Sequence, residues 1–353
     1  METIEHSKPT IGEKEVKAVL DVMRTGLLFE GDVVRTFETK LSGYIGSAGG
    51  VATSTGTLAL YLALLCLGVT EEDEVIVPSY TCRSVLNSIL YSRAKPVLCD
   101  VNERDYNISF KAAQKAITRK TKVIVVPHMF GYAAEIEKFR SLGIYIIEDC
   151  AHLVGAEHQG KKLGSFGDLS IFSFEGTKYI VAGEGGMVLA NDPRLLSKLR
   201  KLKEPNSFDY KLKHTYRMTN LQAAVGCAQL SQVETFINKR RRIATIYNDR
   251  FSDLGIELPE ERRQSVHVFH RYMVKVKSNI RALMEECYEG GVKVKQPVKP
   301  WPLHKYLGLP GKSFPNTEHI MRSAISIPIY PSLSDKQIEH IVKIVKHATL
   351  KTR

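Results

Sequence analysis

Six short apolar runs, separated by segments of helical character, occupy the first two-thirds of this 353-residue chain. Valine and isoleucine dominate several of them, which is typical of strands that are buried on both faces of a sheet. The runs are Glu74–Ser79, Lys95–Val101, Lys122–His128, Ile144–Cys150, Leu169–Phe174 and Gly185–Asn191. Because parallel neighbours need a crossover between them, strands that alternate with helices predict a layered α/β domain with a mostly parallel sheet.

The pattern changes after about residue 245. A capping box at Thr219–Gln222 predicts a long helix that runs towards the basic residues at 239–242. Beyond it we predict a strand at His267–Lys277, a helix near Ile280–Glu289 and a final helix that begins at the capping box Ser334–Gln337. We therefore predict a large α/β domain over residues 1–245, including the N-terminal segment, and a smaller α+β domain over 246–353.

Membrane and secreted classes are disfavoured by the sequence. The longest apolar run, Leu58–Val69, is shorter than the ~20 residues that cross a bilayer, and it predicts a buried helix. The N-terminus lacks the apolar stretch of a signal peptide. None of the six cysteines has CxxC spacing, so no metal site is predicted, and scattered reduced thiols predict a cytoplasmic protein.

The formal net charge of +12 has three interpretations. The run Lys239–Arg242 is the candidate for a nucleic-acid patch, but no nucleic-acid-binding motif accompanies it. A solvated helix face is the favoured interpretation of this run. A basic field also attracts phosphates and diphosphates, so an anionic small-molecule ligand stays open.

Asp149 and Lys178 are the first candidates for chemistry. Asp149 ends one predicted strand, and a second predicted strand is followed by Ser173 and then by Lys178. Ligands of open α/β sheets bind where the carboxyl ends of strands meet. A carboxylate, a lysine and a phosphate-binding loop are the groups that pyridoxal phosphate (PLP) requires: the lysine binds the cofactor as a Schiff base, and the carboxylate pairs with its ring nitrogen.

The phosphate would need a cradle of its own. Ser54–Thr57 precedes the apolar helical segment and supplies small residues at its start. Free N–H groups and the positive end of the helix dipole favour an anion there. Taken alone, the same residues fit a plain helix cap equally well.

The whole series of motifs resembles the DegT/DnrJ/StrS-type sugar-nucleotide aminotransferases, almost from end to end. Its members, in chain order, are Lys8–Gly12, Gly26–Gly31, Ser54–Leu60, Asp73–Thr81, Ala94–Val97, Pro127–Gly131, Asp149–Gly186, Tyr216–Ala224, Pro302–His304 and Ser326–Pro331. The resemblance implies the fold of a fold type I PLP-dependent transferase. The Asp149–Gly186 block is the most specific part of it.

The resemblance also implies residue roles. Lys178 would hold the cofactor and carry the proton, and Asp149 would bind the pyridine nitrogen. His152 falls near the cofactor's phenolic oxygen. The phosphate would be bound by Gly56, Thr57 and Ser173. Related enzymes are dimers with shared sites, and the segment around Arg217 is the implied donor to the partner.

Some positions depart from the family pattern. Cys82 stands where many members place an aromatic ring against the cofactor, and it stays a candidate for cofactor binding because a thiol can also pack on the ring face. Thr215 stands where an Asn often crosses the dimer. Glu175 replaces a frequent His or aromatic residue. His304 and Tyr330 are candidates for substrate binding, although each also fits packing or a dimer contact.

Transamination is the reaction that the resemblance implies, since related sugar dehydratases replace the lysine at position 178 with histidine. L-Glutamate would donate the amino group to a nucleoside-diphosphate-linked ketosugar, and the perosamine-synthase-like motifs favour a 4-keto-6-deoxyhexose. The implied setting is amino-sugar synthesis for lipopolysaccharide O-antigen. A 3-ketosugar or aminocyclitol aminotransferase, a PLP sugar dehydratase and a non-catalytic regulatory homologue remain the alternatives.

Overall fold

The computed structural model describes residues 3–203 and 216–352 and contains a central sheet of seven strands. The strands of the described chain are β1 (Gly49–Thr53), β2 (Glu74–Pro78), β3 (Lys95–Cys99), β4 (Thr121–Pro127), β5 (Tyr145–Asp149), β6 (Glu157–His158), β7 (Lys161–Lys162), β8 (Leu169–Ser173), β9 (Gly186–Ala190), β10 (Ser265–Val266), β11 (Tyr272–Lys275) and β12 (Ala324–Ile327). The central order is β1-β9-β8-β5-β4-β2-β3. Only β9 runs against its neighbours, so the sheet is mostly parallel, as predicted.

Helices cover both faces of the sheet and complete the smaller C-terminal unit. They are α1 (Glu13–Thr25), α2 (Asp32–Ile45), α3 (Gly56–Cys66), α4 (Arg83–Tyr91), α5 (Phe110–Ala116), α6 (Ile136–Arg140), α7 (Pro193–Lys203), α8 (Asn220–Leu230), α9 (Val233–Phe251), α10 (Ile280–Glu289), α11 (Leu303–Tyr306), α12 (Pro315–Ser323) and α13 (Asp335–Lys351). Within the described residues, no helix combines the length and apolar character that crossing a bilayer requires.

Alternate side chains of the parallel strands pack into two separate cores. Val123 and Val125 of β4 lie in the core beneath α3, whereas Ile124 and Val126 lie in the core beneath α2. Burial on both faces is the reason that these strands read as continuous apolar runs. All six predicted strands are confirmed, with ends that differ by a few residues.

Strand β1 was missed by the sequence analysis. It begins with Gly49 and Gly50, and glycine weakens the strand signal because it has no side chain to pack. The strand forms because its backbone pairs with β9 along its full length, from Gly49 opposite Ala190 to Thr53 opposite Gly186. Long-range pairing of this kind leaves no local trace in the sequence.

The long helix predicted from Thr219 is two helices, α8 and α9, which Ser231 and Gln232 separate. The capping box is confirmed: the hydroxyl of Thr219 accepts from the N–H of Gln222, whose side chain accepts from the N–H of Thr219. The second capping box, at the start of α13, is confirmed as well.

The smaller unit packs α9, α10 and α13 around the antiparallel pair β11–β12. The predicted strand at His267–Lys277 forms only over β11. Ile4 of the N-terminal segment packs into this core, and α9 runs without a break across residue 245. The division into residues 1–245 and 246–353 therefore stays a prediction.

Candidate active site

The carboxyl ends of β5, β8 and β1 bring the candidate residues to one edge of the sheet. Asp149 ends β5 and Ser173 ends β8. In the register of the sheet, Gly186 of β9 lies between Ser173 and Thr53, the last residue of β1. The loop from Thr53 to the start of α3 therefore reaches the same edge as Asp149 and Ser173.

Lys178 lies in a tight turn that follows β8. Its backbone N–H donates to the carbonyl of Glu175 at 2.8 Å, and the side-chain carboxylate of Glu175 accepts from the N–H and the hydroxyl of Thr177. The half-buried Lys178 ammonium forms no hydrogen bond or ion pair with any described residue. The turn thus presents an unpaired amine beside the sheet edge.

The carboxylate of Asp149 keeps one oxygen available. Oδ1 accepts the N–H of Ala151 at 3.0 Å, and no described residue hydrogen-bonds to Oδ2. Burial raises the pKa of Asp149 above its ordinary value, although the Ala151 amide and the charge of Lys178 act in the opposite direction. A cationic ring N–H placed against Oδ2 would supply the pairing that this buried carboxylate lacks.

The first turn of α3 lies directly on Ser173. A Cβ added to Gly56 would come within 2.7 Å of the Ser173 Cβ, and one added to Gly186 would meet the carbonyl oxygen of Thr55 at 2.3 Å. The Thr55 hydroxyl caps the helix by accepting from Leu58 N at 3.2 Å. The N–H groups of Gly56 and Thr57 have no acceptor among the described residues, so they are free to bind an anion beside the Ser173 hydroxyl.

His152 is held between two other rings. Phe130 covers one side with a centroid separation of 5.6 Å, and His270 stacks on it at 4.8 Å. The N–H of Phe130 donates to Nδ1 of His152 at 3.4 Å, which assigns the ring proton to Nε2. Burial, with the charges of Lys178 and Arg271, lowers the pKa of His152 far below its ordinary value, so the ring is neutral near pH 7.

Glu148 and His128 form a fully buried pair immediately behind Asp149. Nε2 of His128 donates to Glu148 at 2.9 Å, while its Nδ1 accepts from Ala134 N. Glu148 also accepts the backbone N–H groups of Gly164, Phe166 and Gly167 at 2.7 to 2.9 Å. Burial opposes its ionisation, but the His128 bond and the backbone donors lower the pKa of Glu148 below its ordinary value.

This pair fixes the end of β5 and was missed by the sequence analysis. A ring nitrogen of His128, a carboxylate oxygen of Glu148 and the Cys150 thiol lie within 4.8 Å of one another, which is a spacing compatible with a metal ion. However, the carboxylate of Glu148 already accepts four hydrogen bonds from the protein. The only signal in the sequence was a charged residue inside an otherwise apolar strand.

His304 lies against Ser79, just after β2, with both ring nitrogens engaged. Nδ1 accepts from the hydroxyl of Ser79 at 2.7 Å, and Nε2 donates to Glu318 at 2.9 Å. The ring is fully buried and stacks on Phe314. His304 therefore holds the end of β2, from which the chain turns through Tyr80 towards the site.

The remaining predicted residues differ in their exposure. Cys82 is exposed at the N-cap of α4, and Arg217 is exposed with Nε 4.0 Å from Glu30. Tyr330 is buried in the core of the smaller unit. Thr215 lies outside the described residues.

The basic run Lys239–Arg242 is not a solvated face along its whole length. Arg240 is buried and donates to the carbonyls of Phe269 and His270 at 3.1 and 3.2 Å. Arg241 and Arg242 pair with acids elsewhere in the chain. Arg240 thus positions the segment that carries His270 against the active site, a role that charge alone did not indicate.

The residues at the sheet edge fit PLP. The free N–H groups of α3 and the Ser173 hydroxyl are donors that can bind a phosphate. The open oxygen of Asp149 can accept a hydrogen bond from the ring N–H, and the unpaired Lys178 can bind the aldehyde carbon of PLP. A Cβ at Gly56 would fill the phosphate cradle.

Comparison with known proteins supports this fit. The model of the DegT/DnrJ/EryC1/StrS aminotransferase family matches residues 9–346. GDP-perosamine synthase of Escherichia coli O157:H7 is 33% identical over 96% of both chains. UDP-N-acetyl-3-dehydro-alpha-D-glucosamine 3-aminotransferase of Acidithiobacillus ferrooxidans is 32% identical over 90% of this chain and 88% of its own. The crystal structure of the aminotransferase TlmJ from Streptoalloteichus hindustanus superposes with a TM-score of 0.92, at 28% identity and 99% coverage of both chains.

Proposed function

The chain belongs to the DegT/DnrJ/EryC1/StrS aminotransferase family, and on this premise we propose that it transfers an amino group from L-glutamate to a nucleoside-diphosphate-linked 4-keto-6-deoxyhexose. It is a PLP-dependent sugar aminotransferase. The observation that carries the proposal is the unpaired Lys178 beside Asp149 and the α3 cradle. A non-catalytic relative would have no need to keep all three.

When bound, PLP supplies an electron sink that stabilises negative charge on the carbon next to the transferred nitrogen. Asp149 would hold the ring nitrogen in its protonated state, because its open oxygen accepts a hydrogen bond in a buried setting. Gly56, Thr57 and Ser173 would bind the phosphate and so fix the ring position. His152 would donate from Nε2 to the phenolic oxygen.

Lys178 would carry the proton in both half-reactions. As a free amine, Lys178 would act as the general base that takes a proton from the substrate carbon and later returns it. The turn from Glu175 to Lys178 keeps the amine at the site while the long side chain allows it to move between carbons. The neutral imidazoles of His152 and His270 add no competing positive charge.

The relatives support both C4 and C3 amination. GDP-perosamine synthases at 31 to 37% identity favour the 4-keto sugar. A 3-aminotransferase at 32% identity makes a 3-keto sugar the second candidate. The choice of L-glutamate as amino donor and the product's use in O-antigen rest on the family resemblance. The proposed cytoplasmic location rests on the scattered free cysteines.

We also infer that a second copy of this chain completes the site. The outer face of α1 and the segment after it expose large apolar side chains, namely Val16, Leu20, Met23, Leu27 and Phe29. This face adjoins Arg217, since Leu28 accepts the N–H of Asn220 and Glu30 lies beside the Arg217 side chain. A partner that covers the face would therefore lie within reach of Arg217. Contacts from the partner to His304 or Tyr330 are not needed for the proposal.

The first test is an absorbance spectrum of the purified protein with PLP, before and after L-glutamate. A visible cofactor band that L-glutamate discharges, and that a nucleotide-linked 4-keto-6-deoxyhexose restores, is the expected result. Lys178→Ala should lack the band and the turnover, whereas Lys343→Ala, on the exposed face of α13, should retain both. Turnover by Lys178→Ala would refute the mechanism, and restoration by 3-keto sugars alone would select the second candidate.

A further inference from the structure

The guanidinium of Arg271 has no acidic partner in the described part of the chain. Its Nη1 lies 3.1 Å from Nδ1 of His6, and its backbone N–H donates to the carbonyl of Phe130 at 3.3 Å. Nε is buried without a hydrogen-bond partner. Nη2 also has none among the described residues, so the edge that carries Nε and Nη2 is unused.

An unused guanidinium edge at a half-buried position requires an explanation, because a charge withdrawn from water is costly unless it is paired. Burial lowers the pKa of Arg271 to about 10, so the side chain is still a cation near pH 7. Among the acids of residues 3–203 and 216–352, Glu175 is the one whose charge acts on Arg271, and its carboxylate already accepts from the N–H and hydroxyl of Thr177. The described residues thus leave this cation without an anion in contact with it.

The position of Arg271 connects it to the active site. It directly follows His270, whose ring stacks on His152 and whose nitrogens are both buried without partners. The charge of Lys178 acts on both histidines, and the charge of Arg271 does so too. An anion bound at the unused edge would therefore lie in the neighbourhood of Lys178.

The shape of the free edge indicates which anion. Two parallel N–H groups match the two oxygens of a planar carboxylate. The cofactor phosphate has its own cradle at α3, and a carboxylate is smaller than a sugar diphosphate.

We propose that Arg271 binds a carboxylate of the amino donor and so selects an amino acid for the first half-reaction. This inference rests on the proposed transamination. His6 orients the guanidinium through Nη1, and Ser326 and Ser7 in turn hold the His6 ring at 2.9 and 2.7 Å. Neither the N-terminal segment nor Arg271 had been connected with catalysis by the sequence.

The test follows the two half-reactions separately in PLP-loaded wild type, Arg271→Gln and Arg250→Gln. For the first half-reaction, the loss of the visible cofactor band is measured as L-glutamate or L-alanine is added. For the reverse half-reaction, the same loss is measured as a nucleotide-linked amino sugar is added, beginning with GDP-perosamine. Arg271→Gln should raise the apparent dissociation constant for L-glutamate by about 30-fold or more. Its constant for the amino sugar should stay close to that of the wild type.

The control and the two donors sharpen the result. Arg250 forms an exposed pair with Glu339, so Arg250→Gln should match the wild type in both half-reactions. Equal weakening for L-glutamate and L-alanine would identify the α-carboxylate, and weakening for L-glutamate alone would identify the side-chain carboxylate. Either result supports the proposal.

Three results would overturn it. They are an unchanged apparent dissociation constant for L-glutamate in Arg271→Gln, weaker binding of the amino sugar alone, and equal weakening of binding in both half-reactions. If no amino acid removes the cofactor band of the wild type, the proposed function itself fails. This outcome differs from a failure of the Arg271 assignment, because it is seen without any variant. Should Arg271→Gln not fold, propionate can be tested on the wild type: it should compete with L-glutamate and not with the amino sugar, and absence of competition would contradict the assignment.

Discussion

The imidazole rings of His152 and His270 stack with their centroids 4.8 Å apart and their planes 16° apart. His152 follows β5 of the central sheet, whereas His270 precedes β11 of the smaller unit. The contact therefore joins the cofactor-binding edge to the smaller unit through two neutral rings.

The orientation of His152 should matter more than its ability to titrate. Because Phe130 N–H donates to Nδ1, the ring can donate only from Nε2. His152→Gln retains an N–H donor at a similar reach and should keep PLP affinity within a few-fold. His152→Leu removes one hydrogen bond and should weaken PLP binding roughly tenfold. Absorbance titration with PLP measures both, and equal affinities for the two variants would contradict a donor role.

Gly56→Ala should damage the phosphate cradle. The added Cβ would lie 2.7 Å from Cβ and 3.3 Å from Cα of Ser173, so the first turn of α3 must move away from β8. We expect loss of stability of about 1–3 kcal/mol and weaker PLP binding. Gly43→Ala is the matched control, because a Cβ added to Gly43 meets nothing within 4 Å. Gly43 lies in α2, where alanine is more favourable than glycine by roughly 0.5–1 kcal/mol. Urea unfolding and PLP titration distinguish the two.

Glu148→Gln should destabilise the fold strongly. The backbone N–H groups of the Gly164–Gly167 loop now donate to both oxygens of the carboxylate. The glutamine side chain would replace one of these oxygens with an NH2 group, which cannot accept, so at least one buried N–H would stay unsatisfied. We expect a loss of about 3–5 kcal/mol in the free energy of unfolding. Glu13→Gln, exposed in the first turn of α1, should change it by less than about 1 kcal/mol. Similar losses in the free energy of unfolding of the two variants would show that the buried Glu148 network does not stabilise the fold.

The buried histidines should make stability fall in acid. Burial lowers the pKa of His267 to about 3, whereas the unfolded residue titrates near its ordinary 6.5. Between these values the unfolded state binds a proton that the folded state lacks, so the free energy of unfolding decreases as the pH falls from 6.5 towards 3.

His267→Asn tests this linkage while keeping an acceptor for the N–H of Phe269, which now donates to Nδ1 at 2.7 Å. Between pH 7 and pH 5 the variant should lose about 2 kcal/mol less stability than the wild type. Urea unfolding at the two pH values measures the difference. Parallel losses in both proteins would mean that His267 is not kept neutral.

Charge on the outer face of α1 should separate the proposed dimer. Leu20 is 48% exposed, while Glu15 on the opposite face is buried and accepts from Gln229 at 2.9 Å, so α1 already has its intramolecular partner. Leu20→Glu should give a monomer with reduced turnover in sedimentation velocity and activity assays. Lys343→Glu on α13 should stay dimeric. A wild type that is a fully active monomer would refute the shared site.

The site could be predicted where its residues follow an apolar strand or, as for Gly56 and Thr57, open an apolar helix. Asp149, Ser173 and Lys178 were identified because two apolar runs end just before them, and parallel strands bring such ends to one edge. His270 and Arg271 lie about 90 residues later, outside any motif, and reach the site because Arg240 holds their carbonyl segment against it. The Glu148 network escaped detection for the same reason: its donors come from a separate loop.

By itself the sequence determined the alternation of buried strands and helices, both capping boxes and the order of the candidate cofactor-binding residues, because each depends on neighbours within a few positions. Only the tertiary structure decided that β1 pairs with β9, that α8 and α9 are separate, that His304 is fully engaged with Ser79 and Glu318, and that Arg271 is left with an open edge. Those outcomes depend on which distant groups meet in the packed chain, and burial then decides which polar atoms find a partner.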